Sequence, residues 1–178
     1  MSYAARRKTE SVTLAEVGVD FLGIKAKWVS DREQQTAAWE MYVELVTRVA
    51  LQELPGDRGL LREALTSLHS LFGETRRILK QHGPGVARRL TPDSIAFAQI
   101  ALTVLNVSLR PFLSKWHPAL QDYETARGDK VSPFAHEQQW SENKTMRGEL
   151  DVIREQLHVY ADLLAEGAGI DALHVTQP

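Results

Sequence analysis

Residues 91–118 read TPDSIAFAQIALTVLNVSLRPFLSKWHP. No charged residue lies between Asp93 and Arg110, although 25% of the residues in the chain are charged. A helix that is apolar around most of its circumference has to be covered on most of its sides. The stretch is therefore predicted to be the central helix of the fold, with the other elements packed around it.

Both ends of this central helix carry sequence signals. Thr91 is a good N-cap and Pro92 suits the first helical position, so the helix is predicted to begin there. Pro111 lacks a backbone N–H, and its ring opposes the carbonyl group four residues earlier, so a kink is predicted at this residue. Pro118 is expected to start a short continuation helix that runs to about Arg127.

Three further amphipathic segments have the apolar spacing of helices. The first begins at Ser30 as part of a capping box, the second begins near Asp57, and the last spans residues 132–166. Four helices joined by short loops predict an all-α fold, an antiparallel four-helix bundle with a kinked third helix and an extended N-terminal arm. The side chains expected in its core are Leu61, Leu65, Leu68, Phe72, Phe97, Ile100, Val104 and Leu157.

The chain before the first helix has a different period. Leu22, Ile24 and Trp28 lie at every-second-residue positions, a pattern typical of a short strand or of an extended arm. No second strong strand pattern follows, so an arm that lies over the bundle is predicted. Residues 1–29 are accordingly interpreted as an N-terminal tail and arm, and residues 30–178 as a single helical-bundle domain.

Composition narrows the classes of function. A chain of 178 residues is long enough for one domain with its own core. It has no cysteine, which excludes thiol catalysis and disulfides and suits a reducing compartment, so a cytoplasmic location is predicted. The net charge of −2 provides no field that attracts DNA or an anionic membrane. The uncharged run at residues 94–109 is shorter than the roughly 20 residues that span a membrane.

Motifs of the common enzyme classes are missing from the sequence: it has no nucleotide-binding loop, hydrolase nucleophile motif or metalloprotease motif. Glu155 and His158 form a single Glu-x-x-His pair, whereas a dinuclear metal site in a bundle needs two such pairs. The heptad of Leu150, Ile153 and Leu157 places both side chains of this pair toward solvent. No metal and no cofactor is therefore expected.

Arg110 and His117 lie at the predicted kink of the central helix. Their Arg-x(4–6)-His spacing resembles that of HEPN ribonucleases, which are all-helical proteins. The resemblance implies that His117 serves in acid–base attack by a ribose 2′-hydroxyl, and that Arg110 steadies the phosphate charge.

The spacing recurs elsewhere in the chain, so a structural interpretation of the same residues stays open. In that interpretation Arg110 caps or ion-pairs at the kink, Trp116 packs in the interior and His117 precedes a helix start. The other occurrences of the spacing are Arg62 to His69, Arg76 to His82 and Arg77 to His82.

Residues 60–72, 109–118 and 136–140 resemble segments of uncharacterised bacterial all-helical proteins from signalling and defence gene neighbourhoods. The resemblance implies a context and brings no catalytic residues. The predicted function is a non-catalytic helical interaction module, in a bacterial signalling or defence system, that binds a protein partner or itself as an oligomer. Its interaction residues are expected to be Leu22, Ile24, Trp28 and Trp116.

The alternative function is a HEPN-like, metal-independent ribonuclease. It uses Arg110 and His117 as its catalytic residues, and RNA is a partner only in this alternative. Neither function involves a membrane or DNA.

Overall fold

The computed structural model describes residues 14–48, 51 and 59–173. The predicted N-terminal tail before the arm and the predicted helix start near Asp57 lie outside the described residues. The strands are β1 (Ala15–Phe21), β2 (Ile24–Ser30) and β3 (Ser94–Ile95), and the helices are α1 (Arg32–Val46), α2 (Leu61–His82), α3 (Phe97–Thr103), α4 (Arg110–Thr125), α5 (Pro133–Gln138) and α6 (Asn143–Ala168). A 3-10 turn (Gly83–Ala87) follows α2, and a π-helical turn (Val104–Leu109) joins α3 to α4.

The fold is mostly helical but contains a three-stranded mixed sheet, so the prediction of an all-α four-helix bundle with an extended arm is wrong. β1 and β2 form an antiparallel hairpin, and β3 pairs with β2 in parallel. The hairpin is closed by Leu22 and Gly23, whose φ angles of 48° and 80° suit the tight turns that match the twist of paired strands. In the sequence, Gly23 marks a break in the every-second-residue pattern, but no partner strand is evident, so a hairpin is not predicted there.

The hairpin belongs to the main hydrophobic core. Trp28 is fully buried, and its indole Nε1 donates to the side chain of Gln34 at 3.0 Å. Gly167 of α6 makes room for the ring, since a Cβ at this glycine would lie 2.0 Å from the Trp28 ring. The expectation that Trp28 is an exposed interaction residue is therefore wrong. Leu22 and Ile24 are half-buried and pack against the same core.

The central helix differs from its prediction at both ends. It begins at Phe97, because the chain from Thr91 turns into β3 and the buried Ser94 pairs with the sheet. It then continues without a break to Thr125, so the short helix predicted to start at Pro118 does not exist and this proline lies inside α4.

The π-helical turn lies immediately before Pro111. The Arg110 N–H donates to the carbonyl of Leu105, five residues earlier, where an α-helix would bond four residues earlier. We infer that the wider turn relieves the conflict between the Pro111 ring and the preceding carbonyl groups. Within the described residues, the helix Phe97–Thr125 is the one helix long and apolar enough to cross a membrane, but 56% of its apolar window is buried, as in the core helix of a soluble protein.

Two further helix predictions need correction. The N-cap of α1 is Asp31, which accepts from the Gln34 N–H at 3.1 Å, while Ser30 is buried and donates to Gly167. The predicted last helix is divided into α5 and α6 around Trp140. The predicted core residues are all buried except Phe72, which is half-buried.

Candidate functional site

An open groove of about 790 Å³ lies between α2 and α4. The two helices run antiparallel there: Arg62 in the first turn of α2 reaches His117, and the guanidinium of Arg110 at the start of α4 lies over the ring of Phe72. Arg110 and His117 therefore line one groove, together with His69 and Arg76. This shared groove is the arrangement that a site built on Arg110 and His117 requires.

Two Arg-x6-His pairs, one on each helix, come together here: Arg110, His117 and His69 line the groove, and Arg62 contacts His117 beside it. Arg110 and His117 lie seven residues apart on α4, which puts them on one face about 10.5 Å apart along the axis. Arg62 and His69 have the same spacing on α2. The imidazole rings of His69 and His117 meet edge to face, with their centroids 5.6 Å apart. Local sequence spacing and antiparallel packing together bring two imidazoles and two guanidinium groups into one region.

A chain of contacts holds His117 in place. The Nη1 of Arg62 lies 3.2 Å from His117 Nδ1. Glu124, one further heptad along α4, accepts from Arg62 Nε at 3.1 Å and from Nη2 at 2.7 Å. Because a guanidinium can only donate, Nδ1 of His117 must accept, and the ring proton is on Nε2. Nε2 is covered and has no hydrogen-bond partner among the described residues.

The surroundings of His117 favour its neutral form. Burial is the main effect that lowers the pKa of this imidazole below 6.5, and the positive charge of Arg62 and the proximity of His69 lower it further, against a smaller opposing effect of Glu124. A neutral ring whose Nδ1 is occupied is a hydrogen-bond donor and not a base. The acid–base role expected of His117 therefore suits His69 better, since His69 is exposed and no hydrogen bond to another described residue holds its ring.

Positive charge dominates the groove. Arg110 is exposed, and its Nε donates to Asn106 at 3.0 Å, while its Nη groups have no hydrogen-bond partner among the described residues. Arg76 is also exposed on the groove wall. The one carboxylate in the lining, Glu74, is paired with Arg77 at 2.8 Å. The arrangement can bind an anion such as a phosphodiester.

The remaining sequence-predicted residues lie apart from this groove. Trp116 is buried, donates its Nε1 proton to Glu149 at 2.7 Å and meets Trp140 edge to face, so it is not available as an interaction residue. Glu155 and His158 are exposed, as predicted. Within the described ranges, no group of three His, Asp or Glu side chains is placed to hold a metal ion.

Sequence reasoning missed the contribution of α2 to the site. Arg62 and His69 matched the same spacing as Arg110 and His117, but no sequence signal shows that two such pairs lie side by side. Nothing in the sequence indicates a role for Glu124, because its role depends on a contact with Arg62, which lies 62 residues earlier in the chain.

Comparisons of the chain with protein-family models, curated proteins and solved structures find no match. The functional assignment of the groove therefore depends on its geometry and charge.

Proposed function

We propose that the groove binds single-stranded RNA and cleaves it, with side chains alone supplying the acid–base and electrostatic chemistry. The observation that supports this most strongly is one open groove lined by Arg110, His117 and His69, with Arg62 in contact with His117 beside it. Histidine is the side chain most often used for proton transfer near neutral pH, and arginine suits the geometry of phosphate oxygens.

The proposed reaction is attack within the RNA backbone. His69 takes the proton from a ribose 2′-hydroxyl, and the 2′-oxygen bonds to the adjacent phosphorus. The bond from phosphorus to the 5′-oxygen breaks, and that oxygen takes a proton from solvent. The products are a 2′,3′-cyclic phosphate and a 5′-hydroxyl. DNA is not a substrate because it lacks the attacking hydroxyl.

Arg110 and His117 stabilise charge in this scheme. The free Nη groups of Arg110 bind the phosphate oxygens, on which negative charge grows as the new bond forms. Neutral His117 lies about 10.5 Å further along α4 and donates its unpartnered Nε2 proton to the RNA backbone there, as a neutral imidazole can do at an active site. Because Nε2 is covered and Nδ1 is held by Arg62, this donation requires the His117 side chain to leave that contact when RNA binds.

The test is cleavage of end-labelled single-stranded RNA in the presence of a chelator, which suppresses metal-dependent contaminants. We expect His69→Ala and Arg110→Ala each to lower the rate by about 100-fold or more. His117→Ala should lower it less, since only a neutral donor is lost. Matched controls are His158→Ala and Arg89→Ala, which change exposed residues away from the groove. Equal rates in the groove variants and in the controls would overturn the proposal.

A second candidate function is the interaction module, and a surface feature supports it. Val107 and Val152 are 55% and 51% exposed, and both line a groove of about 320 Å³ between the central helix and α6. Pro111 and Phe112 extend its apolar wall. Exposed apolar side chains grouped in this way are typical of surfaces that bind a protein partner or a second copy of the chain. Both candidate functions suit a cytoplasmic protein, given a chain without cysteine.

A further inference from the structure

A second, more enclosed pocket of about 310 Å³ lies beside the histidine–arginine groove. It is formed where α2, α4 and α5 meet. Leu60, Leu120, Tyr123 and Pro133 supply most of its apolar wall. Its volume is at the lower end of the range for small-ligand sites, about 300–1,000 Å³. Arg62, Glu63, Glu124, Arg127, His136 and Glu137 also line it, so the pocket suits a small group that has both apolar surface and polar atoms.

Arg62 separates this pocket from the groove. It lines the pocket, while its Nη1 contacts His117, which lines the groove. Glu124 fixes this position through the contacts described above, and it also lines the pocket. The two cavities are therefore neighbours, joined by the contact between Arg62 of the pocket and His117 of the groove.

His117 of the groove and Leu120 and Glu124 of the pocket lie on the same helix, α4. Leu120 follows His117 by three residues, about 4.5 Å along the axis of α4, and Glu124 follows it by seven residues, about 10.5 Å. A phosphate bound near His117 would thus leave the attached sugar and base within reach of the pocket.

We propose that this pocket receives the base of the nucleotide whose phosphate is bound in the groove. This inference rests on the proposed function, and it adds a preference among bases. Glu63 lies at the pocket, is exposed, and has no hydrogen-bond partner among the described residues. A carboxylate accepts from an exocyclic amino group, such as that of cytosine. Uracil has no such group, so cytosine binds better than uracil.

The experiment measures the dissociation constants of three probes by NMR titration of the full chain: cytidine 3′-monophosphate, uridine 3′-monophosphate and inorganic phosphate. We expect the cytidine nucleotide to bind about tenfold more tightly than phosphate, the effect typical of one well-placed base. Two variants change the exposed rim, so folding should be retained. Pro133→Trp closes the mouth of the pocket, and Glu63→Gln removes the carboxylate. Glu155→Gln on α6 is the matched control.

Pro133→Trp should reduce nucleotide binding to the level of phosphate and leave phosphate binding unchanged. Glu63→Gln should remove the preference for cytosine over uracil, whereas Glu155→Gln should preserve it. Equal binding of all three probes to the wild-type chain, or an unaltered preference in both rim variants, would overturn the base pocket. RNA cleavage could still occur in that case. Base-dependent binding without RNA cleavage would support the pocket and refute the proposed ribonuclease activity.

Discussion

Arg62 decides what His117 can do chemically. Its donation to Nδ1 fixes the ring proton on Nε2, and Glu124 holds the guanidinium in place. The sequence predicted that Arg110 and His117 belong together, and the structure places both on one groove. The role of Arg62 could not be predicted from the sequence, because 55 residues separate Arg62 from His117 and only the packing of two helices brings the two side chains together.

The lowered pKa of His117 implies that the stability of the folded chain depends on pH. Burial and Arg62 favour its neutral form in the folded state, so the unfolded chain binds a proton more readily. The stabilisation is complete above the ordinary histidine pKa of 6.5 and is lost as the pH falls through the lower folded value. We expect Tm to fall between about pH 7.5 and about pH 5, and to fall less steeply in His117→Asn.

Thermal unfolding followed by circular dichroism across this pH range provides the measurement. His158→Asn is the control, because His158 is exposed on α6 and should leave the wild-type slope unchanged. Identical slopes for the wild type and His117→Asn would contradict the account of this residue.

At the scale of the elements, sequence periodicity predicted the long helices better than the short elements. The apolar stripe of α2 and the uncharged central helix are both present, because many residues contribute to each pattern. The strand β3 has only the residues Ser94 and Ile95, and its pairing with β2 outweighed the helix-start signal at Thr91. The π-helical turn was not predicted either, because the sequence contains only Pro111 as an indication that the helix is irregular there.

Glu137 shows how one element stabilises another. It lies on α5 and is buried, and its carboxylate accepts from the Leu61 N–H at 2.8 Å at the start of α2. It also pairs with Arg147 of α6 at 3.0 Å. Burial raises the pKa of Glu137, although the Leu61 N–H and Arg147 both oppose this effect. The carboxylate therefore acts as the N-cap that the side chain of Leu60 cannot provide.

Removing this side chain should destabilise the junction of the three helices. We expect Glu137→Ala to lower the free energy of unfolding by about 3 kcal/mol, because a buried acceptor and a charge partner are lost together. Glu137→Gln should cost less, since its amide oxygen can still accept from Leu61 and burial disfavours the charged form of the glutamate. Urea unfolding measures both effects, with the exposed Glu142→Ala as control. If the urea midpoint of unfolding in Glu137→Ala equals that of the wild type, this role of Glu137 is refuted.

At the scale of the whole molecule, the sequence predicted a fold organised around one buried helix and did not predict the sheet. The sheet depends on the two-residue turn at Leu22 and Gly23 and on room for Trp28 beside Gly167. The turn is local but has an apolar residue at its first position, and the contact of Trp28 with Gly167 is tertiary, so the every-second-residue pattern of residues 22–28 reveals neither. Burial of Trp28 also moves the candidate interaction surface from the N-terminal hairpin to the exposed valines on the central helix and α6.

The surface formed by the exposed Val107 and Val152 can be tested for self-association. If the protein associates with itself, light scattering should give a mass above the 20.0 kDa of one chain as the concentration rises. Val107→Glu combined with Val152→Glu should restore the mass of one chain, because charges would be buried at the contact. Leu173→Glu changes a similarly exposed side chain near Tyr42 and should have no effect. A single-chain mass at every concentration would refute self-association.

The ribonuclease proposal is tested most directly by a labelled DNA strand that contains one ribonucleotide. His69 can remove a proton only from a 2′-hydroxyl, so we predict one cut on the 3′ side of that ribonucleotide. The cut should leave a 2′,3′-cyclic phosphate, identified by mass spectrometry, and should be lost in His69→Ala but kept in His158→Ala. An intact strand with folded wild-type protein, or cutting of an all-DNA strand, would contradict the proposal.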